Sequence, residues 1–127
     1  MQPTDPVRLS PVLVVEDEGL VRMTIVDFLE DAGFTVIEAA TGEEGLLELD
    51  RNPGIRALLT DIEMPGSIDG MKLARITHER YPEAAVVVVS GRVRPGKEEL
   101  PAHARFFAKP YQHDEVVNTL HALMSKP

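Results

Sequence analysis

Val12-Leu13-Val14-Val15-Glu16-Asp17 is a run of four aliphatic residues stopped by two acids, and its reading decides the fold. An almost purely aliphatic run of this kind is expected of a central strand in a parallel sheet, buried on both faces. Of four further runs, three end in a similar way and one, at 35–39, ends without an obvious chemical group. Ala57-Leu58-Leu59-Thr60 stops on Asp61, Val86-Val87-Val88-Val89 on Ser90, and Phe106-Phe107-Ala108 on Lys109. Thr35-Val36-Ile37 runs into Glu38-Ala39, is mixed in character, and fits an edge strand. If the five runs are parallel, their carboxyl ends lie along one rim of one sheet, where open α/β sheets bind ligands. Two acids, a third carboxylate, a hydroxyl and an ammonium then meet there, a chemistry suited to a divalent cation and a phosphoryl group.

Helical patterns fill the intervals. Val21, Ile25, Phe28, Leu29 and Ala32 recur by threes and fours over residues 18–32, and Gly33 is a C-terminal stop. Thr41-Gly42-Glu43-Glu44 reads as a capping box opening a helix with Leu46, Leu47 and Leu49, which ends before Asn52-Pro53-Gly54. Asp69 caps a third helix over residues 70–80, ended by Pro82, and Val116, Val117, Leu120, Leu123 and Met124 stripe a last one over 113–125. Between Ser90 and Arg105 the pattern breaks: Pro95, Gly96 and Pro101 leave room for about one helical turn at 97–100. The spacing predicts a flavodoxin-like, doubly wound α/β fold. It has five parallel strands in the order 2-1-3-4-5, a short or irregular fourth helix, and a switch point between the strands ending in Asp17 and Asp61. Residues 1–10 read as a loose tail and 11–127 as one domain.

Composition narrows the function classes. At 127 residues and 43% apolar the chain suits one globular core, and no apolar run reaches the roughly 20 residues a membrane helix needs. There is no cysteine, which removes disulfides and thiolate metal sites and is compatible with a reducing cytoplasm. A net charge of −8 argues against direct contact with nucleic acid or an anionic membrane. The densest basic stretch, at 92–97, runs straight into Glu98-Glu99.

The rim residues map onto phosphoryl transfer. Carboxylates about 4–5 Å apart repel by roughly 3–4 kcal/mol at an effective dielectric near 20, so Asp17, Asp61 and the nearby Glu16 call for a cation between them. Mg²⁺ suits, as a hard ion held by one or two carboxylates. One acid can then act as nucleophile, while Lys109 and Ser90 take phosphoryl oxygens. Taken singly each residue has a blander explanation: Asp17-Glu18 as a helix cap, Lys109 as a solvated lysine, Ser90 as turn chemistry. Their joint placement on one rim reverses the odds. His78, His103, His113 and His121 show no ligand spacing, and Met64 and Met71 read as packing.

With these residues in hand, the sequence resembles the receiver domains of two-component response regulators over about residues 11–125. The carrying motifs are residues 12–18, then Leu59-Thr60-Asp61-Ile62-Glu63-Met64-Pro65-Gly66 leading to Asp69-Gly70, then Val88-Val89-Ser90-Gly91, and Phe106-Phe107-Ala108-Lys109-Pro110-Tyr111. The resemblance implies that Asp61 is the phosphoacceptor and that Glu16 and Asp17 form the acidic pair. Asp17 then binds Mg²⁺ directly, Glu16 acts mostly through water, and the Glu63 main-chain carbonyl is a further ligand. It implies that Ser90 is the hydroxyl that moves toward the phosphoryl group, that Phe106 is the switch aromatic, and that the Lys109–Pro110 bond is cis. A histidine kinase or histidine phosphotransfer protein is the implied phosphodonor. The chain departs from the pattern in one added residue at 66–68 and in the helix-poor stretch 91–104. Glu63 and Arg92, each two residues past a site residue, could form a charge pair across the pocket mouth, where the resemblance implies an influence on how water reaches the phosphoaspartate.

The reading that follows is a cytoplasmic bacterial signalling switch, not an enzyme beyond assisting its own phosphorylation and dephosphorylation. It works through an unidentified downstream protein as a monomer or weak homodimer. The end at Ser125-Lys126-Pro127 fits either a stand-alone receiver or part of a longer protein. A phosphorylation-independent adaptor with the same fold is the alternative, and the intact set Asp17, Asp61, Ser90 and Lys109 argues against it. A haloacid-dehalogenase-type phosphohydrolase would carry aspartate two residues after its nucleophile, where Glu63 stands, and would need cap segments that this length excludes.

Overall fold

The structure is a computed structural model that describes residues 10–96 and 98–125. Five strands, β1 (Val12–Val15), β2 (Val36–Ala39), β3 (Ala57–Asp61), β4 (Ala85–Ser90) and β5 (Arg105–Ala108), form one parallel sheet in the order β2-β1-β3-β4-β5. Four helices connect or follow them: α1 (Gly19–Asp31), α2 (Gly42–Arg51), α3 (Gly70–Arg80) and α4 (His113–Met124). The expected topology is therefore present, and the expected tail at 1–10 lies, except for Ser10, outside the described residues.

The aliphatic runs are central because both of their faces are covered. Every residue of β1, β3 and β4 is buried, whereas β2 buries only Ala39. Alternation along each strand sorts the side chains into two cores. Val12, Val14, Leu59, Val87 and Val89 pack with Ile25 and Leu29 of α1 and Val116 and Leu120 of α4. Leu13, Val15, Leu58, Val86 and Val88 pack with Leu49 of α2 and with Met71, Leu73 and Ala74 of α3. Each fully buried Leu or Val contributes roughly 1.5–3 kcal/mol relative to exposure.

Helix ends follow local chemistry. Gly33, at φ 95°, closes α1 in a Schellman motif: its N–H donates to the Glu30 carbonyl and that of Phe34 to Leu29. Asp69 caps α3 through a 2.8 Å bond from the Lys72 N–H. Thr41 caps α2 by accepting from the Glu44 N–H at 3.0 Å. The reciprocal half of the expected box is shifted by one residue, because Glu44 accepts from the N–H of Ala40 rather than Thr41.

Between β4 and β5 the described residues contain no helix. A turn closed by the Glu99 N–H on the Gly96 carbonyl stands where about one helical turn was expected. Leu100 and Ala104 from this segment pack against the core over α2 and α3, alongside Phe106. No helix among the described residues is long and apolar enough to cross a membrane.

Candidate functional site

Parallel register gathers the rim. Val15 pairs with Thr60, Asp61 with Val89, and Ser90 with Ala108, so Glu16, Asp61, Ser90 and Lys109 follow one another around the carboxyl ends of β1, β3, β4 and β5. Strand alternation then divides them. Asp61 continues the face of Ala57 and Leu59, which α1 and α4 cover. Ser90 continues the face of Val86 and Val88, which α2, α3 and the irregular segment cover.

Three acids and one ammonium form the centre. Lys109 Nζ lies 3.3 Å from Glu16 Oε1 and 3.6 Å from Asp61 Oδ2. Glu16 is 1% exposed and Asp61 7%, while Asp17 faces solvent. Ligating oxygens of Glu16, Asp17 and Asp61 all lie within 4.8 Å of one another. A cleft bordered by Asp17, Asp61, Glu63, Arg92 and Lys109 opens the group to solvent. Asp17 is not taken up in capping, since Glu18 occupies the N-cap position of α1 without a side-chain cap bond. Lys109 is likewise tied into the centre and not a free surface lysine.

The electrostatics match this crowding. Burial first, and then the neighbouring Glu16 charge, push the Asp61 carboxyl up to about 7 against the opposing pull of Lys109. Burial works against the Lys109 ammonium, but Asp61 and Glu16 outweigh it and hold its pKa above the ordinary value. When all are ionised, three carboxylates against one ammonium leave two negative charges uncompensated. Glu16 Oε2 and Asp61 Oδ1 are buried and have no hydrogen-bond partner. Such orphaned atoms are rare. Two partnerless carboxylate oxygens beside an exposed third acid are a donor set that fits a hard divalent cation.

Ser90 is fully engaged elsewhere. Its hydroxyl donates to Glu63 Oε1 at 2.5 Å and accepts the N–H groups of Arg92 and Val93 at 3.1 and 2.8 Å. Glu63 also accepts the Arg92 N–H at 3.0 Å. The Glu63–Arg92 charge pair expected from sequence is therefore not formed: the main chain of Arg92, not its guanidinium, reaches Glu63. Burial is the largest influence and opposes the Glu63 charge, but the hydrogen bond from Ser90 together with those from main-chain N–H groups and the neighbouring Asp61 outweighs it and lowers the carboxyl's pKa. Phe106 is half-buried beside the same core, and the Lys109–Pro110 bond is cis. The loop at 66–68, where one added residue was expected, packs locally: Gly66 takes φ 102° next to Glu43, and Ile68 packs into the second core.

Sequence reading missed three supporting contacts, those of Arg22, Gly70 and the Glu63 carboxylate. Arg22 donates to the Glu16 carbonyl at 2.7 Å and to Glu38 at 3.1 Å, tying the end of β1 to β2. A basic residue one turn into α1 was the available signal. Gly70 sits so tightly behind β3 that a Cβ there would overlap the Asp61 carbonyl oxygen. The Glu63 carboxylate gave no local signal, because its partner Ser90 is 27 positions away.

Comparison with known proteins places this geometry. The family model described as the response regulator receiver domain matches residues 12–121. The sensor kinase CckA of Brucella abortus is 34% identical over 97% of this chain, which spans 13% of that protein. NtrX-like putative response regulators of Rickettsia, 34% identical over 84% of the chain, are matched over 23% of their length. The receiver protein CpdR of Brucella abortus is 30% identical over 91% of this chain and 98% of its own. Among solved structures, the receiver domain of the hybrid histidine kinase CckA superimposes with a TM-score of 0.77 at 30% identity, covering 91% of this chain and 99% of that one. The chain belongs to the response regulator receiver domain family of two-component systems.

Proposed function

We propose that this receiver is a phosphorylation-dependent switch in which Asp61 accepts a phosphoryl group from a phosphohistidine, with Mg²⁺ bound at the rim. Receiver domains interact with histidine kinases or phosphotransfer proteins, and such a protein is the donor here. The observation that carries the reading is a nearly buried Asp61 set between the Lys109 ammonium and two further acids, with one of its oxygens free of any partner.

An Asp61 carboxylate oxygen attacks phosphorus. The phosphorus–nitrogen bond to the donor imidazole breaks, and the ring keeps its electron pair and takes up a proton. Lys109, 3.6 Å from Asp61, is in reach of a phosphoryl oxygen and offsets its charge. Asp17 and Asp61 with the Glu63 main-chain carbonyl would hold the cation, and Glu16, buried against Lys109, would act mostly through water. When bound, the ion supplies positive charge that neutralises the acids and the developing phosphoryl charge. Ser90 turns its hydroxyl toward the modified aspartate, and Phe106, pairing with Val88 beside Ser90, responds by repacking. Output is by protein contact, without direct binding to nucleic acid.

The test is incubation with acetyl phosphate and Mg²⁺. One phosphoryl group should add, labile to base and hydroxylamine, and Asp61→Asn should abolish it. An Asp61→Asn variant that still takes the same labile group would overturn the proposal.

A further inference from the structure

The Ser90 hydroxyl has one proton to donate and two lone pairs. Its proton goes to Glu63 Oε1, and its lone pairs take the N–H groups of Arg92 and Val93. None of its capacity is directed at Asp61, whose Oδ1 has no partner. A hydroxyl that is to donate to a phosphoryl oxygen must first withdraw its proton from Glu63. A hydroxyl–carboxylate bond is charge-assisted and shorter and stronger than a neutral one.

We propose that the Glu63 side chain is a positioning residue that holds the Ser90 hydroxyl in its resting direction and competes with the phosphoryl group for the Ser90 proton. The main-chain carbonyl of Glu63, on this view, serves the cation while its carboxylate restrains the switch. The Arg92 N–H, shared between Glu63 and Ser90, fixes the two acceptors side by side. Glu63 belongs to the loop after β3 and Ser90 to the end of β4, so the restraint joins the strand carrying the phosphoacceptor to the segment that follows the switch hydroxyl.

The proposal rests on Asp61 being the phosphoacceptor, and its test separates the two ideas. The probe is beryllofluoride with Mg²⁺, a stable mimic of a phosphoryl group on a carboxylate, titrated into the whole chain and followed by backbone amide resonances. Removing the competitor raises the fraction of molecules with a free Ser90 hydroxyl, and the apparent Kd falls by that factor. Glu63→Ala should tighten binding about tenfold when Ser90 is present, and Glu63→Gln, which keeps an acceptor without its charge, should tighten it less. In a Ser90→Ala background the same Glu63→Ala change should alter Kd less than about twofold, because the effect runs through the hydroxyl. Equal tightening in both backgrounds would mean that Glu63 merely repels an anion, and no tightening would mean that it restrains nothing. Either result overturns the proposal while leaving Asp61 as the acceptor. No binding of the mimic by any variant would remove the acceptor reading and the restraint with it. The amide spectra report folding for each variant, and the Gln variant provides a conservative control.

Discussion

Replacing Asp61 by asparagine should make the metal-free protein more stable, and the size follows from the pocket. The Asp61 carboxyl titrates at about 7 in the folded state against an ordinary 3.8, mainly through burial and then the Glu16 charge. A folded-state pKa raised above the unfolded one means that folding favours the protonated acid. The benefit is present below pH 4 and is lost as pH rises through 7. At pH 8 the ionised group sets an upper limit of about 4 kcal/mol on destabilisation, at about 1.4 kcal/mol per unit. The asparagine amide must still be buried beside Glu16 and Lys109, so a net gain of about 1–3 kcal/mol is expected. At roughly 3–5 °C per kcal/mol for a domain of this size, calorimetry at pH 8 with a chelator resolves it. The advantage should shrink as pH falls from 7 toward 4, as the wild-type acid takes up its proton. An asparagine variant that melts lower at pH 8, or an advantage independent of pH, refutes the reasoning.

The cation should act in the opposite direction to the crowding. At a Mg²⁺ concentration about tenfold over Kd, wild type should gain about 1.4 kcal/mol in stability, and Asp61→Asn clearly less, as read from thermal melts with and without chelator. Lys109→Ala removes the ammonium from two buried carboxylates. It should lower metal-free stability by about 1–3 kcal/mol at pH 8, a loss that lessens at acid pH and is measured by urea titration. Gly70→Ala should cost at least about 2 kcal/mol, because its methyl group meets backbone, and the Asp61 amide resonance should shift with it. A variant as stable as wild type would show that α3 can withdraw without disturbing β3.

The sheet was legible because burial on both faces leaves its mark on each residue of a strand. Val12–Val15 and Ala85–Ser90 carry no polar face that a different register could turn outward. The rim was legible for the same reason: once strands are parallel, the residue after each run has only one place to go. The break at 91–104 was announced by Pro95, Gly96 and Pro101, since a helix there would lose N–H donors and meet the proline rings. Side-chain partners were not legible. Arg92 and Glu63 invited a charge pair by sign, yet the main-chain N–H of Arg92 lies nearer and leaves the guanidinium in solvent. Glu44 pairing with Ala40 rather than Thr41 is a similar one-residue adjustment, set by how the chain enters α2. Periodicity and capping rules specify which backbone segments form; they carry little about which long polar side chain reaches which atom.

The lack of a helix among the described residues after β4 and the position of Ser90 belong to one physical account. Glu16, Asp61 and Lys109 lie toward the face covered by α1 and α4, whereas Ser90 and Phe106 lie toward the opposite one. On the proposed function, a change at Asp61 would cross the sheet through Ser90, whose oxygen also accepts the N–H groups of Arg92 and Val93. Turning that hydroxyl toward Asp61 deprives two main-chain donors of their acceptor. In a regular helix starting there, the first turn would have to be remade, with capping losses of about 1 kcal/mol. Here Arg92 and Val93 are exposed and no helix follows among the described residues, so water can replace Ser90 at small cost. On the proposed mechanism, segment 91–96 would move without dismantling secondary structure, and the resistance to switching would fall mainly on the bond between Ser90 and Glu63. With no helix among the described residues of this segment, the proposed switch would need another restraint to keep its resting state populated, and the Glu63 carboxylate, bonded to Ser90, is placed to supply it.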